Sequence, residues 1–136
     1  MAELCQGHFP EAVRKWAEHP PLWLQIESPA AIRFLDRLDD GEASALSLAC
    51  ERHASLILID ERPGRHAAYS VEIEPRGTLG VLTRAAADSH LYFEAALNIL
   101  TTRTRFRHTP DLIENARQQY EILYRDLRNR SRNPGR

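Results

Sequence analysis

Two acidic residues, Glu42 and Asp60, fall where a chain of alternating helices and strands places its chemistry. Glu42 lies in DDGEASALSLA, an expected helix start, and Ala45, Leu46 and Ala49 follow it at i+3, i+4 and i+7. It therefore shares the face that the helix turns to the core, where a carboxylate is costly unless it meets a cation or hydrogen-bond donors. The same residue also reads as a dipole-complementing glutamate in a first turn, and the two readings stand level. Asp60 closes the apolar run Leu56-Ile57-Leu58-Ile59, and in open α/β sheets the carboxyl ends of strands form the ligand crevice. An N-cap for the next helix is at least as common a use of such a residue. The pairing adds weight: a helix N-terminus and the end of the strand that follows it bring the two acids together, and an oxygen-only set suits Mg2+ or Mn2+.

Other groups carry less. Glu61 falls on an outward position beside Asp60, and Glu3 lies in a scrap of helix. Arg65 suits a phosphate or an ion pair with Asp60 or Glu61, the ion pair being favoured. Gly77-Thr78-Leu79-Gly80 reads as an anion cradle at a helix start or, more plainly, as a tight turn with a threonine cap. The six histidines have no zinc-like spacing, and neither G-x-S-x-G nor a Walker pattern occurs, which argues against zinc, serine and P-loop chemistry.

The elements that must position these residues belong to one domain of modest core, from 136 residues that are 43% hydrophobic and 27% charged. The net charge of −1 hides an acidic centre, residues 36–61, and an arginine-rich end that includes Arg125, Arg128 and Arg130. Cys5 and Cys50 lack metal-ligand spacing and read as free thiols of a reducing cytosol. No run has the length of a membrane span, and residues 1–20 lack a signal-peptide pattern, so a cytoplasmic location is expected.

In chain order, residues 2–6 read as the end of a helix and Pro10 opens a second, PEAVRKWAEH, with Ala12, Val13 and Trp16 as its apolar face. LWLQIE, residues 22–27, alternates like a half-buried or edge strand, and a short helix follows from Ser28 to about Leu38. The helix from Asp39-Asp40-Gly41-Glu42 runs through His53. Leu56 to Ile59 reads as a strand covered on both faces, Arg65 to Tyr69 as a short helix and Val71 to Glu74 as a parallel strand. Helices then follow from Gly77-Thr78, with Leu79, Leu82 and Ala86 inward, from Tyr92 to Thr102, and from Thr109-Pro110 to Leu127. The expected domain spans 1–128, and 129–136 form a basic flexible tail.

Together, D-x-GEASALSLA, SLILIDERPGR and RGTLGVL resemble, in that order, the PIN-domain proteins, nearest to an uncharacterised nucleic-acid-binding branch related to the VapC-type toxins. The resemblance covers about Glu3 to Ile113. It implies a helix-rich α/β fold, an α/β/α sandwich around a short parallel sheet, with acidic residues gathered about Mg2+ or Mn2+ and RNA as substrate. Glu42 is similar to the acid of that family's GEA helix, Asp60 to the acid ending its LLID strand, and Glu3 to a glutamate of an earlier helix ending in E-L. Phe106-Arg107-His108-Thr109-Pro110 resembles the approach to the last helix. Members begin with an apolar strand carrying an aspartate, for which nothing stands before Met1, and the expectation is a chain truncated at its N-terminus rather than a decayed one. Exposed sheet edges would then favour instability or association, a homodimer included.

The resemblance implies a metal-dependent ribonuclease of the toxin type, inactive if its site is incomplete, with Glu42 and Asp60 catalytic and, with Glu3, metal-binding. Arg65, Arg128 and Arg130 are expected on the RNA backbone. The alternative is a non-catalytic PIN-like module that binds nucleic acid or an antitoxin-like protein, and a third reading is a plain helical regulator with a basic tail.

Overall fold

The computed structural model describes residues 10–34 and 36–132. Among these residues six helices and two short strands follow in order: α1 (Glu11–Glu18), α2 (Asp40–Glu51), β1 (Leu56–Leu58), α3 (Arg62–Ser70), β2 (Glu74–Arg76), α4 (Thr78–Ala87), α5 (Phe93–Arg103) and α6 (Pro110–Arg132). The strands pair in parallel with Leu56 opposite Glu74, Ile57 opposite Pro75 and Leu58 opposite Arg76. The fold is therefore helix-rich α/β around a short parallel sheet, as expected.

The helix starts follow local chemistry. Asp39 caps α2 by accepting the Glu42 backbone N–H at 2.8 Å, and the Thr109 hydroxyl accepts the Leu112 N–H at the start of α6. Helix α2 ends at Glu51 because His53 takes a left-handed φ of 50°.

Two cores result. Ala43, Leu46 and Ala49 of α2 pack on Ile57, Ile59, Ala68 and Ile73, and the small α2 residues let the helix lie close to the sheet. The second core joins Leu79 and Ala86 of α4 to Phe93 and Leu97 of α5 and Ala116 of α6. There the Phe93 and Tyr120 rings stack with centroids 4.6 Å apart. Arg117 of α6 clamps both oxygens of Glu94 of α5, at 2.9 and 3.1 Å.

Several expectations are corrected. Residues 22–27 form no strand: Leu24 closes a turn onto the Pro21 carbonyl, and Leu22, Trp23 and Ile26 are exposed. Alternation makes a strand only when the segment reaches an edge, and residues 22–27 pair with neither strand of the two-stranded sheet. Among the described residues of 28–38 the expected helix is absent, because their backbone is bonded elsewhere. The Glu51 carboxylate accepts the Ala30 and Ala31 N–H groups, and the Ser47 hydroxyl accepts that of Arg33.

Strand β1 is covered on one face rather than both, with Ile57 and Ile59 buried and Leu58 65% exposed. Val71 to Glu74 is mostly the exit from α3, where Glu72 adopts φ 61° and the Ile73 N–H returns to the Ala68 carbonyl, so β2 begins at Glu74. In α1 the buried residue is Ala17, while Trp16 is 44% exposed. Helix α6 continues to Arg132, through the first residues expected in a flexible tail. The helix expected over residues 2–6, and Glu3 with it, lies outside the described residues.

Candidate functional site

Glu42 enters the first core from the first turn of α2. Its side chain does not complete a capping box, since it accepts no hydrogen bond from a described residue, and its Oε1 is buried without a partner. That oxygen lies against the first turn of α3: a Cβ on Gly64 would sit 2.7 Å from it and 2.2 Å from Ile59 Cδ1. Gly64 is thus the residue that makes room for the carboxylate. Burial, and then the charges of Asp39 and Glu61, push the Glu42 carboxyl above its ordinary range. A buried anion with a bare oxygen and two anionic neighbours has a deficit that a cation would fill.

Asp60 follows β1 and is exposed, and its carboxylate is already satisfied. Its Oδ1 accepts the Thr78 N–H at 2.8 Å and its Oδ2 accepts the Thr78 hydroxyl, so it binds the N-terminus of α4 from 18 residues away. Gly77 is needed beside it, because a Cβ there would stand 2.6 Å from Oδ1. The anion cradle read in Gly77-Thr78-Leu79-Gly80 is accordingly occupied by the protein's own carboxylate. Thr78 is the first residue of α4 rather than its cap.

The two acids face different surroundings. Asp60 lines a cavity of about 650 Å3 between β2, α4 and α6. Glu42 is not among the residues lining it and points to the seam between α2 and α3. Among the described residues no group of three or more His, Cys, Asp or Glu side chains is placed to hold a metal ion. Toward a divalent cation, Glu42 offers one bare buried oxygen, Asp60 would have to release Thr78 to join it, and Glu3 lies outside the described residues.

Arg65 of α3 forms no ion pair with Asp60 or Glu61, contrary to the favoured reading. It lines the cavity with its Nη1 near Gly77, 3.3 Å from where a Cβ would be. The neighbouring Arg76 is committed to Glu74. Arg128 is exposed and lies over the Tyr124 ring, and Arg130 is exposed on the same last turns of α6. At 1.5 Å per residue they stand roughly 7 to 10 Å along the helix from Leu123, the last residue of α6 at the cavity.

Residue-type reasoning missed the polar side of that cavity. Asn115 and Gln119, one turn apart on α6, line it together with Leu112, Ala116 and Leu123. Their i, i+4 spacing beside the apolar stripe was the available signal. Tyr69 and Phe106 add aromatic surface.

A family model described as a PIN domain matches residues 1–121 of the chain. No curated protein and no solved structure shows a significant match. No helix of the described residues is long and apolar enough to cross a membrane.

Proposed function

The chain belongs to the PIN-domain family, and from that membership we propose that it is a metal-dependent ribonuclease of the toxin type in which Glu42 takes Mg2+ or Mn2+. The observation that carries the proposal is the buried Oε1 of Glu42, a hard oxygen donor without a partner among the described residues, which a cation would relieve. A divalent ion bound there would polarise a phosphodiester and acidify a bound water. Asp60 is the second candidate carboxylate, available on exchange of its bonds to Thr78, and Glu3 is a third. Arg65 supplies a cation for the RNA backbone, with Arg128 and Arg130 as outlying contacts. A protein partner of antitoxin type, or a second copy of the chain, belongs to the same reading.

The test is thermal unfolding with and without Mn2+, alongside cleavage of a mixed-sequence RNA. A ligand at 100 times its Kd stabilises by about 2.7 kcal/mol. Mn2+ should raise the Tm of the parent and leave Glu42→Gln unmoved, and cleavage should require both Glu42 and the metal. Equal Mn2+ stabilisation of parent and variant would remove Glu42 from the reading.

One observation favours a second reading, a non-catalytic nucleic-acid- or partner-binding PIN domain: both Asp60 oxygens are engaged, and no third ligand stands beside Glu42 among the described residues. It predicts RNA binding that is the same in EDTA and Mn2+, with no cleavage by any variant.

A further inference from the structure

The cavity between β2, α4 and α6 has a lining that neither acid explains. Its charged groups are Asp60, Arg65, Glu74 and Arg76. Asp60 is held by Thr78, and Glu74 and Arg76 hold each other, so Arg65 is the one lining charge with no ion-pair or hydrogen-bond partner among the described residues. Facing it from α6, the amides of Asn115 and Gln119 likewise have none. Tyr69, 61% exposed, and the half-buried Phe106 give the same space aromatic surface.

A formally neutral lining with a single uncommitted cation does not suit a run of phosphates, for which several cations would be expected. Two uncommitted amides one turn apart beside aromatic rings suit a planar heterocycle: the rings offer a stacking face, and each amide carries both a donor and an acceptor for base edges. About 650 Å3 lies within the range of small-molecule sites and is ample for one nucleotide.

We propose that this cavity is a base-recognition subsite that takes one unstacked nucleotide of single-stranded RNA, its base against Tyr69 and Phe106, its edge on Asn115 and Gln119, and an adjoining phosphate on Arg65. The proposal rests on the ribonuclease reading for the choice of polymer alone. It needs neither the metal nor Glu42. On this view the chain selects its substrate at a place distinct from the Glu42 corner, through α6 side chains that a family-level reading of the acidic motifs passes over.

The test is fluorescence anisotropy of the full chain with 5′-labelled hexanucleotides rA6, rU6 and rC6 in EDTA, so that no cleavage intervenes. The parent should rank the three. Tyr69→Ala should weaken the preferred one roughly 5- to 150-fold. Asn115→Ala/Gln119→Ala should collapse the ranking. Gln119→Glu, of similar size but acceptor-only, should shift preference toward adenine and cytosine, which carry exocyclic amino donors, and away from uracil. Arg65→Gln should weaken all three alike and flatten the salt dependence by about 0.7 in log–log slope.

Circular dichroism and Tm of each variant confirm folding, and Tyr69→Phe, which keeps the ring, should bind as the parent does. The proposal is overturned if no hexanucleotide binds, if an abasic hexamer binds as tightly as rA6, or if the amide variants keep the parent's ranking. AMP or UMP binding as tightly as the hexamers would make the site one for free nucleotides and overturn the assignment to RNA. Ranked binding in EDTA without Mn2+-dependent cleavage would leave this subsite standing and bring down the nuclease reading instead, so the two failures are separable.

Discussion

Glu42 and Asp60 are carboxylates at the ends of consecutive elements, yet their surroundings differ in the one respect that matters for binding a cation. Around Asp60 the backbone has supplied the counter-charge: a helix N-terminus and a threonine hydroxyl occupy both oxygens. Around Glu42 no described residue has, and Asp39 and Glu61 make the deficit worse. An acid at an element end is thus structural when N–H and O–H groups donate to it, as Thr78 does to Asp60, and available when none does. The sequence positions alone do not separate the two cases.

The largest expected effect comes from Gly64. Its Cβ would stand inside contact distance of both Ile59 and the Glu42 carboxylate, so Gly64→Ala should cost about 1 to 3 kcal/mol through overpacking, read by urea unfolding. A near-neutral result would mean that Glu42 is not pressed against α3, and the contrast between the two acids would be lost.

Asp60→Ala comes next. Removing a carboxylate that binds a helix N-terminus costs about 1 kcal/mol, within a range of roughly 0.5 to 2. Gly77→Ala should reproduce much of that loss, since its Cβ would displace the same oxygen. If Asp60→Ala proved stabilising instead, Asp60 would share Glu42's predicament rather than oppose it.

What was legible follows from how far each interaction reaches along the chain. The starts of α2 and α6 were readable because Asp39 and Thr109 bond N–H groups three residues on. The buried Leu79 and Ala86 were readable from helical period. Asp60's contact with Thr78 spans 18 residues and depends on the β1–β2 register, so no local pattern announces it. The misread segments 22–27 and 28–38 fail for the same reason: one alternates but turns back on Pro21 instead of joining the sheet, and the other gives its N–H groups to Glu51 and Ser47 of α2. Pro63-Gly64 has the sequence of a turn, but Gly64 lies inside α3, where its lack of a side chain is what admits Glu42. The three acidic and glycine-rich motifs marked the family, and the polar face of α6 that lines the cavity lay outside them.

Glu42→Gln should change the metal-free protein in the opposite sense to Asp60→Ala. Replacing a buried, unpartnered anion by a neutral amide of the same shape should stabilise by on the order of 1 kcal/mol near neutral pH. The pH dependence carries the sign. With its pKa raised on folding, the native carboxyl holds a proton that the unfolded chain has released, so stability falls as pH rises from the ordinary value of 4.5 through the raised one. The variant should lack that fall. A parent curve flat over this window would place Glu42 in water.

The smallest effect is the control that keeps the Glu42 result from being a property of glutamates in general. Glu94 is also a helical glutamate facing another helix, but Arg117 donates to both its oxygens and holds its carboxyl below the ordinary range. Here the native state sheds its proton first. The contribution is present above 4.5 and is lost as pH falls through the lowered value, the mirror image of Glu42. Because both partners are substantially exposed, water and salt screen the pair, and Glu94→Gln should lower stability only slightly, less still in 0.5 M salt. Paired acid-to-neutral titrations of Glu42→Gln and Glu94→Gln should therefore cross, one variant gaining on the parent as pH rises and the other losing. If both lost alike, the bare oxygen of Glu42 would have a partner, and the cation it is proposed to take would have no vacancy to fill.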